Sequence, residues 1–192
     1  MTGDSNDPSL PHAPQAPLVV DYNPTWPDLF AEAKAQILQA VAAHIQTVHH
    51  VGSTSVPGLA AKPIIDILVG VHDWTEARVT IPPLERIGWE FRGPRGIPRR
   101  HYFVIRLPDG RRTHHLHMLE TTSTPYADML AFRNHLRTHP TAATQYATLK
   151  RQQASRPEPH PGAYQQSKAP FIQRILCEIR STPLSRERTY RY

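Results

Sequence analysis

Phe30, Ala33, Ile37, Val41 and Ile45 follow one another at spacings of three and four, a single apolar stripe that predicts a helix of about five turns. Asn23-Pro24-Thr25-Trp26-Pro27 reads as the turn that leads in. It places Pro27 in the first helical turn, where a missing N–H costs no intrahelical bond. Before it, Leu18-Val19-Val20 predicts a short strand. Thr47 to Val51 is a brief β-branched run ending at Gly52, and Pro63 to Val71 is a longer apolar run interrupted only by Asp66 and Gly70; both predict strands. Trp74 to Ile87 reads as helical with a break near Pro82-Pro83. Trp89 to Arg92, Arg100 to Arg106 and His114 to Glu120 read as strands, the last two joined through Pro108-Asp109-Gly110 into a hairpin. Helices over Tyr126 to Thr138, Thr141 to Ser155 and roughly Tyr164 to Ile179 finish the pattern, with a proline-rich break at Pro157 to Pro161.

The pattern fades at both ends. Residues 1–17 combine Asp4, Ser5, Asn6, Asp7 and Ser9 with four prolines, too little apolar surface to offset the entropy of ordering, and are expected to form a disordered lead. One domain is expected over residues 18–180, followed by a tail over residues 181–192. A length of 192 residues suits a single sizeable core, and no internal repeat is visible.

Composition narrows the partners. With 22 Lys and Arg against 16 Asp and Glu the net charge is +6, which favours a nucleotide or another phosphate-bearing small molecule. No sequence signature of a nucleic-acid module accompanies that charge, so nucleic acid is not expected as a partner. No apolar run approaches a membrane span, and the N-terminus carries no basic region followed by an apolar segment, so no membrane partner is expected and a cytoplasmic location is. Cys177 is the only cysteine. It excludes an intrachain disulfide, and the apolar spacing from Phe171 to Ile179 predicts a buried, inert thiol. Oligomeric state is not encoded in any feature of the pattern.

The chemistry concentrates between Gly52 and Asp66. A glycine leaving a strand permits close approach to a ligand, and Ser53, Thr54 and Ser55 can offer hydroxyls and backbone N–H groups to phosphate oxygens. An ordinary strand-to-helix turn with a Ser or Thr cap would have the same composition. Asp66 lies within an apolar strand, where an unpartnered carboxylate is expensive. It calls for a salt bridge to Lys62 or an arginine, or for a metal or substrate. Strand alternation puts Leu68 on the same face as Asp66, and His115 and His117 on one face of a later strand.

The basic residues divide less clearly. Arg95, Arg99, Arg100, Arg111 and Arg112 flank the hairpin, where they either grip phosphate or solvate a strand edge. Arg133 and Arg137, Tyr146 and Lys150, and Tyr164 and Lys168 are each four apart on a helix, and a solvated face is the default for each pair.

The runs His50 to Leu59, Lys62 to Ile67 and His114 to His117, with Phe132 to Arg137, Tyr146 to Lys150 and Tyr164 to Ile172, resemble the GrpB family of the nucleotidyltransferase superfamily over about Val19 to Ile179. The resemblance implies an α/β (α+β) fold: a nucleotidyltransferase-like mixed sheet flanked by helices, with a helical C-terminal part. Related domains occur fused to dephospho-coenzyme A kinases. In that superfamily a Gly-Ser turn holds phosphate, matched here by Gly52 and Ser53, and an acid-apolar-acid pair holds magnesium. Asp66 matches the first acid only, and Leu68 stands in place of the second. The resemblance also adds Lys168 to the phosphate-binding candidates.

The expected function is a metal-dependent nucleotidyltransferase that moves a nucleoside monophosphate from a nucleoside triphosphate to an unidentified small-molecule or protein acceptor. Asp66 would hold the metal with His115 and His117, while Gly52, Ser53, Thr54, Ser55 and Lys168 hold the nucleotide and Lys62 or Arg100 meets developing charge. Magnesium is the expected divalent metal, with zinc or manganese as the metals imidazoles favour. The alternative is a non-catalytic nucleotide- or coenzyme A-binding module of the same fold, which Leu68 favours.

Overall fold

The computed structural model describes residues 19–156 and 162–181. The lead at residues 1–17, the proline-rich break and residues 182–192 lie outside them. Helix α1 (Trp26–Val41) carries the apolar stripe and buries Trp26, Ala33, Ile37 and Val41. It stops earlier than the stripe: Val41 leaves helical geometry at φ −140°, a tight 3₁₀ turn spans Ala42–His44, and Ile45 is extended. Ile45 still packs on the same core, so the periodicity reported a buried face correctly and overran the helix. Of the short strand expected at residues 18–20, an antiparallel bridge from Val20 to Ala61 is present.

Strands β1 (Thr47–Val51) and β2 (Ile65–Val71) pair antiparallel, with β2 starting two residues later than its apolar run. Helices α2 (Trp74–Val79) and α3 (Ile81–Arg86) fill the stretch predicted as one broken helix. The break falls at Thr80, ahead of the prolines, because proline is tolerated in the first turn of α3 but not inside α2. Then come β3 (Glu90–Phe91), β4 (His101–Arg106) and β5 (Arg112–Glu120). β4 and β5 form the predicted hairpin, in which Asp109 Oδ1 accepts from Arg111 N at 2.9 Å. The strand order is β1-β2-β5-β4-β3, and the central β2–β5 pair is parallel. A parallel pair needs a long crossover, supplied here by the segment from α2 through β4.

The helices cover both faces. On one face α1, α2 and α3 seal a core around Ile65, Ile67, Val69, Phe103, Leu116 and Met118, all buried. Helices α4 (Thr124–Thr138), α5 (Pro140–Ala154) and α6 (Ala163–Ser181) form a second cluster on the other side, built on Leu136, Tyr146 and Ile175. A smaller cluster of Val51, Leu68, Leu119 and Tyr126 joins that helical half to the sheet. Gly70, the second interruption of β2, is where Thr47, Thr121 and Tyr126 close in: a Cβ there would lie 2.4 Å from Thr47 Oγ1. The architecture is an α/β (α+β) nucleotidyltransferase-like mixed sheet with a helical C-terminal part.

Cys177 is exposed, contrary to its expected burial. The buried stripe of α6 runs through Phe171, Ile172, Ile175 and Ile179, and a residue two positions from Ile175 points to the opposite side of a helix. Among the described residues no helix is long and apolar enough to cross a membrane.

Candidate functional site

Gly52 ends β1 with φ +68° and ψ −172°, a conformation that a β-carbon disfavours. The following residues Ser53–Ser55 make one 3₁₀ turn. Two of its hydroxyls are already engaged. Ser55 Oγ donates to Gly52 O at 2.6 Å, and Thr54 Oγ1 donates to Ile64 O at 3.2 Å. With its one proton spent, Thr54 Oγ1 accepts from His50 Nε2 at 3.0 Å, which makes His50 the donor. The His50 ring stacks on Phe30 at 4.7 Å, and burial lowers its pKa to about 4, so it is neutral in this role. Ser53 remains on the cleft wall, its hydroxyl against Tyr146.

From behind, α4 fixes the turn. Arg137 donates through Nε and Nη2 to Ser55 O at 3.0 and 2.7 Å, and Arg133 donates through Nη1 to His50 O at 3.0 Å. The default of a solvated face therefore fails for this pair: their common side meets carbonyls of β1 and the turn. Tyr146, Lys150 and Tyr164 are buried as well, Lys150 to 2% exposure, and each lines the same cleft. Lys150 Nζ donates to Ala60 O and lies 4.7 Å from the Tyr146 ring centre; Lys168 Nζ lies 4.6 Å and Lys62 Nζ 4.2 Å from that of Tyr164. A tyrosine four residues ahead of a lysine occurs in both α5 and α6, and that repeated spacing was the available signal for Tyr146, Lys150 and Tyr164, three residues that sequence reasoning missed.

Asp66 stands opposite His115 in the parallel β2–β5 register, so the pairing itself brings carboxylate and imidazoles together. Its Oδ1 is 3.1 Å from His115 Nδ1 and 3.8 Å from His117 Nε2. Burial works to raise the Asp66 carboxyl, but the hydrogen bond from His115 and the nearness of His117 outweigh it and hold the group well below the usual carboxylate range. His117 is pushed down by its own burial despite Asp66, which leaves a neutral ring beside an ionised carboxylate. His115 Nε2 is buried without a hydrogen-bond partner among the described residues. One donor atom from each of Asp66, His115 and His117 lies within 4.8 Å of the others, a spacing that fits one metal ion.

Leu68, the neighbour of Asp66 on that face, is fully buried among Val51, Leu119 and Tyr126. The arginines divide. Arg99 pairs with Glu120 and Arg111 with Asp109, each at 2.7 Å, whereas Arg95, Arg100 and Arg112 line the cleft. Arg100 is 8% exposed, donating to Pro94 O at 3.1 Å, to Arg95 O at 2.9 Å and toward His117 Nδ1 at 3.4 Å. Gly52, Ser53, Asp66, His115, His117 and Arg100 border one open cleft of about 580 Å³, within the range of small-molecule sites.

A mixed five-stranded sheet with a glycine-serine turn facing a strand carboxylate defines a nucleotidyltransferase-like fold. The sequence pattern of the "GrpB protein" family matches residues 17–178, and the chain belongs to that family. The crystal structure of conserved protein GrpB from Enterococcus faecalis is similar to it, with a TM-score of 0.77 and 39% identity, covering 84% of this chain and 96% of that one. UPF0157 protein BH1888 of Halalkalibacterium halodurans is 34% identical over 85% of this chain and 83% of its own length. UPF0157 protein YqkA of Bacillus subtilis is 36% identical over 77% of this chain, which spans 42% of that longer protein.

Proposed function

We propose that the chain is a metal-dependent nucleotidyltransferase that takes a nucleoside monophosphate from a nucleoside triphosphate. The observation that carries this reading is the Gly52–Ser53 turn resting against Asp66, itself grouped with His115 and His117, in a cleft that also presents Lys62, Lys150, Lys168 and three arginines. The set of two imidazoles and one carboxylate suits manganese or zinc better than magnesium, which prefers oxygen ligands. When bound there, such an ion neutralises phosphate charge and polarises a phosphoryl oxygen. Gly52 leaves room for the Asp66 carboxylate to pack against the turn, and Ser53 offers its hydroxyl. Lys150 and Lys168 meet the anionic tail, while Arg100, anchored by two backbone carbonyls, faces developing charge without having to reorganise.

Titration of a non-hydrolysable nucleoside triphosphate into the protein, with and without manganese, tests the reading. Manganese-dependent binding that disappears in Asp66→Asn is expected. Equal binding by both proteins in either buffer would reject it. The burial of Leu68 favours a second reading, a nucleotide- or coenzyme A-binding module without turnover. Pyrophosphate release from nucleoside triphosphates across a pool of small-molecule acceptors separates the two.

A further inference from the structure

Seven arginines fall between Arg92 and Arg112, and the structure sorts them by what they face. Arg92 and Arg106 pair with Glu90, Arg99 with Glu120 and Arg111 with Asp109. The three that line the cleft, Arg95, Arg100 and Arg112, form no ion pair among the described residues. They gather around Tyr102: the Arg100 guanidinium lies 5.2 Å from its ring centre, and the charges of Arg95 and Arg112 act on its hydroxyl. The loop that presents Arg95 and Arg100 is unusual in its backbone, while Arg112 opens β5. Arg95 and Arg99 hold φ of +47° and +52°, a left-handed conformation rare outside glycine, and the carbonyl of Arg95 is one of the two that anchor Arg100. Three like charges held together at a cleft wall, with Glu90, Glu120 and Asp109 spent on other arginines, suit an anion.

The sheet order sets this cluster apart from the lysines. Lys62, Lys150 and Lys168 lie on the side of the Gly52–Ser53 turn, with Lys150 on the Ala60 carbonyl and Ser53 against Tyr146. Tyr102 and Arg100 lie on the β4 side, and Asp66, His115 and His117 on β2 and β5 stand between the two walls. If the turn and the lysines hold a triphosphate, Arg95 and Arg112 are left for a second anion, which shares Arg100 with the reacting phosphate. The titratable acids and imidazoles of the cleft leave no spare general base: Asp66, His115 and His117 are grouped together, and Asp128 pairs with Arg180 at 2.5 Å.

We propose that Arg95, Arg100 and Arg112 form an acceptor site for a small phosphomonoester, whose own phosphate oxygen is the nucleophile. This rests on the nucleotidyltransferase reading and names the class of its second substrate. An ionised phosphate oxygen of the acceptor forms a bond to the α-phosphorus, the bond from that phosphorus to the α–β bridging oxygen breaks, and pyrophosphate leaves with the electron pair. The product is a pyrophosphate-linked nucleotide. No proton has to be removed from the nucleophile, in keeping with a cleft whose carboxylates and imidazoles are all engaged. The arginines hold the acceptor against charge repulsion from the triphosphate.

The test is a two-probe calorimetric titration on the full chain, with inorganic tripolyphosphate for the lysine wall and inorganic phosphate for the arginine wall. Protein saturated with tripolyphosphate is expected to bind one further phosphate. The double variant Arg95→Gln/Arg112→Gln should weaken that phosphate about tenfold or more, the scale of losing charge-assisted hydrogen bonds, with tripolyphosphate affinity little changed. Lys168→Met should do the reverse, and circular dichroism checks that both variants are folded. Competition between the two probes, or equal weakening of both in both variants, overturns the acceptor site and leaves the nucleotidyltransferase reading standing. Phosphate binding at the arginines with no tripolyphosphate binding overturns that reading instead.

Discussion

Asp66 Oδ2 occupies the space that a side chain at position 52 would need: a Cβ on Gly52 would lie 2.2 Å from it and 2.9 Å from Asp66 Cβ and Cγ. The turn and the acid are therefore one packed unit. Sequence reasoning alone expects Gly52→Val to harm ligand binding more than stability. The packing predicts that even Gly52→Ala harms both, since backbone strain at positive φ and the collision each cost about 1–3 kcal/mol. Thermal unfolding and manganese titration of Gly52→Ala should show a lowered Tm together with lost metal affinity. A wild-type Tm would show that Asp66 can move aside.

Asp66→Asn keeps the shape and removes the charge. Its metal affinity should fall by more than the roughly 10–100-fold that outer-shell partners typically cost. In metal-free protein the same substitution tests the pH dependence. The folded-state pKa of Asp66 lies below its unfolded value, so its contribution is present above the ordinary carboxylate range near ~3.9 and is lost as pH falls toward the folded value. Acid unfolding below about pH 4 should accordingly be less steep in Asp66→Asn than in the wild type.

How far the sequence discloses this site depends on the distance over which each residue acts. The strand ending at Gly52, the hairpin at Pro108 to Gly110 and the histidines on one strand face follow from local periodicity and turn chemistry. The parallel pairing that puts Asp66 opposite His115 does not, because it joins residues 49 apart across a crossover. Arg133, Arg137 and Lys150 were hidden for a related reason. Each has spacing typical of a solvated helix face, and only the docking of α4 and α5 on the turn and on Ala60 gives them buried carbonyls as partners. Cys177 shows the converse, an apolar-looking neighbourhood whose true stripe passes it by.

Arg137 offers a test of the turn independent of the metal. Two of its N–H groups meet Ser55 O, so Arg137→Met leaves a carbonyl without those donors and should cost about 1–3 kcal/mol. Hydrogen exchange should quicken most at the amides of Ser55 and Val56, which bond to Gly52 O and Ser53 O inside the turn. Uniform loss of protection would show that Arg137 supports the whole domain and not the turn in particular.

The lysine wall predicts proton uptake on anion binding. Burial lowers Lys150 to about 7 and Lys168 to about 8, so both are partly neutral in mildly alkaline buffer. A bound polyphosphate favours the charged forms, raises both pKa values and draws protons from solution. Calorimetric titrations of tripolyphosphate near pH 8 in buffers of different ionisation enthalpy should show net uptake, shrinking toward pH 6 as the lysines are already charged. Lys168→Met should reduce it. Uptake unchanged in Lys168→Met would place the polyphosphate elsewhere.

Leu68 decides whether the site has lost an acid or never had room for one. It lies on the Asp66 face, beside His117 in register, and is fully buried among Val51, Leu119 and Tyr126. Leu68→Asp therefore removes core packing and inserts a carboxylate where water is excluded, which should cost at least about 3 kcal/mol in metal-free buffer. Leu68→Met, which keeps volume and apolarity, should cost less than about 1.5 kcal/mol and serves as the control. Because Leu119 and Tyr126 cover this position, magnesium is expected to leave the lowered Tm of Leu68→Asp unchanged, and manganese to act through the original three ligands as in the wild type. A Tm restored specifically by magnesium would mean that the cluster opens toward Asp66 and that a two-carboxylate metal site can be rebuilt on this strand.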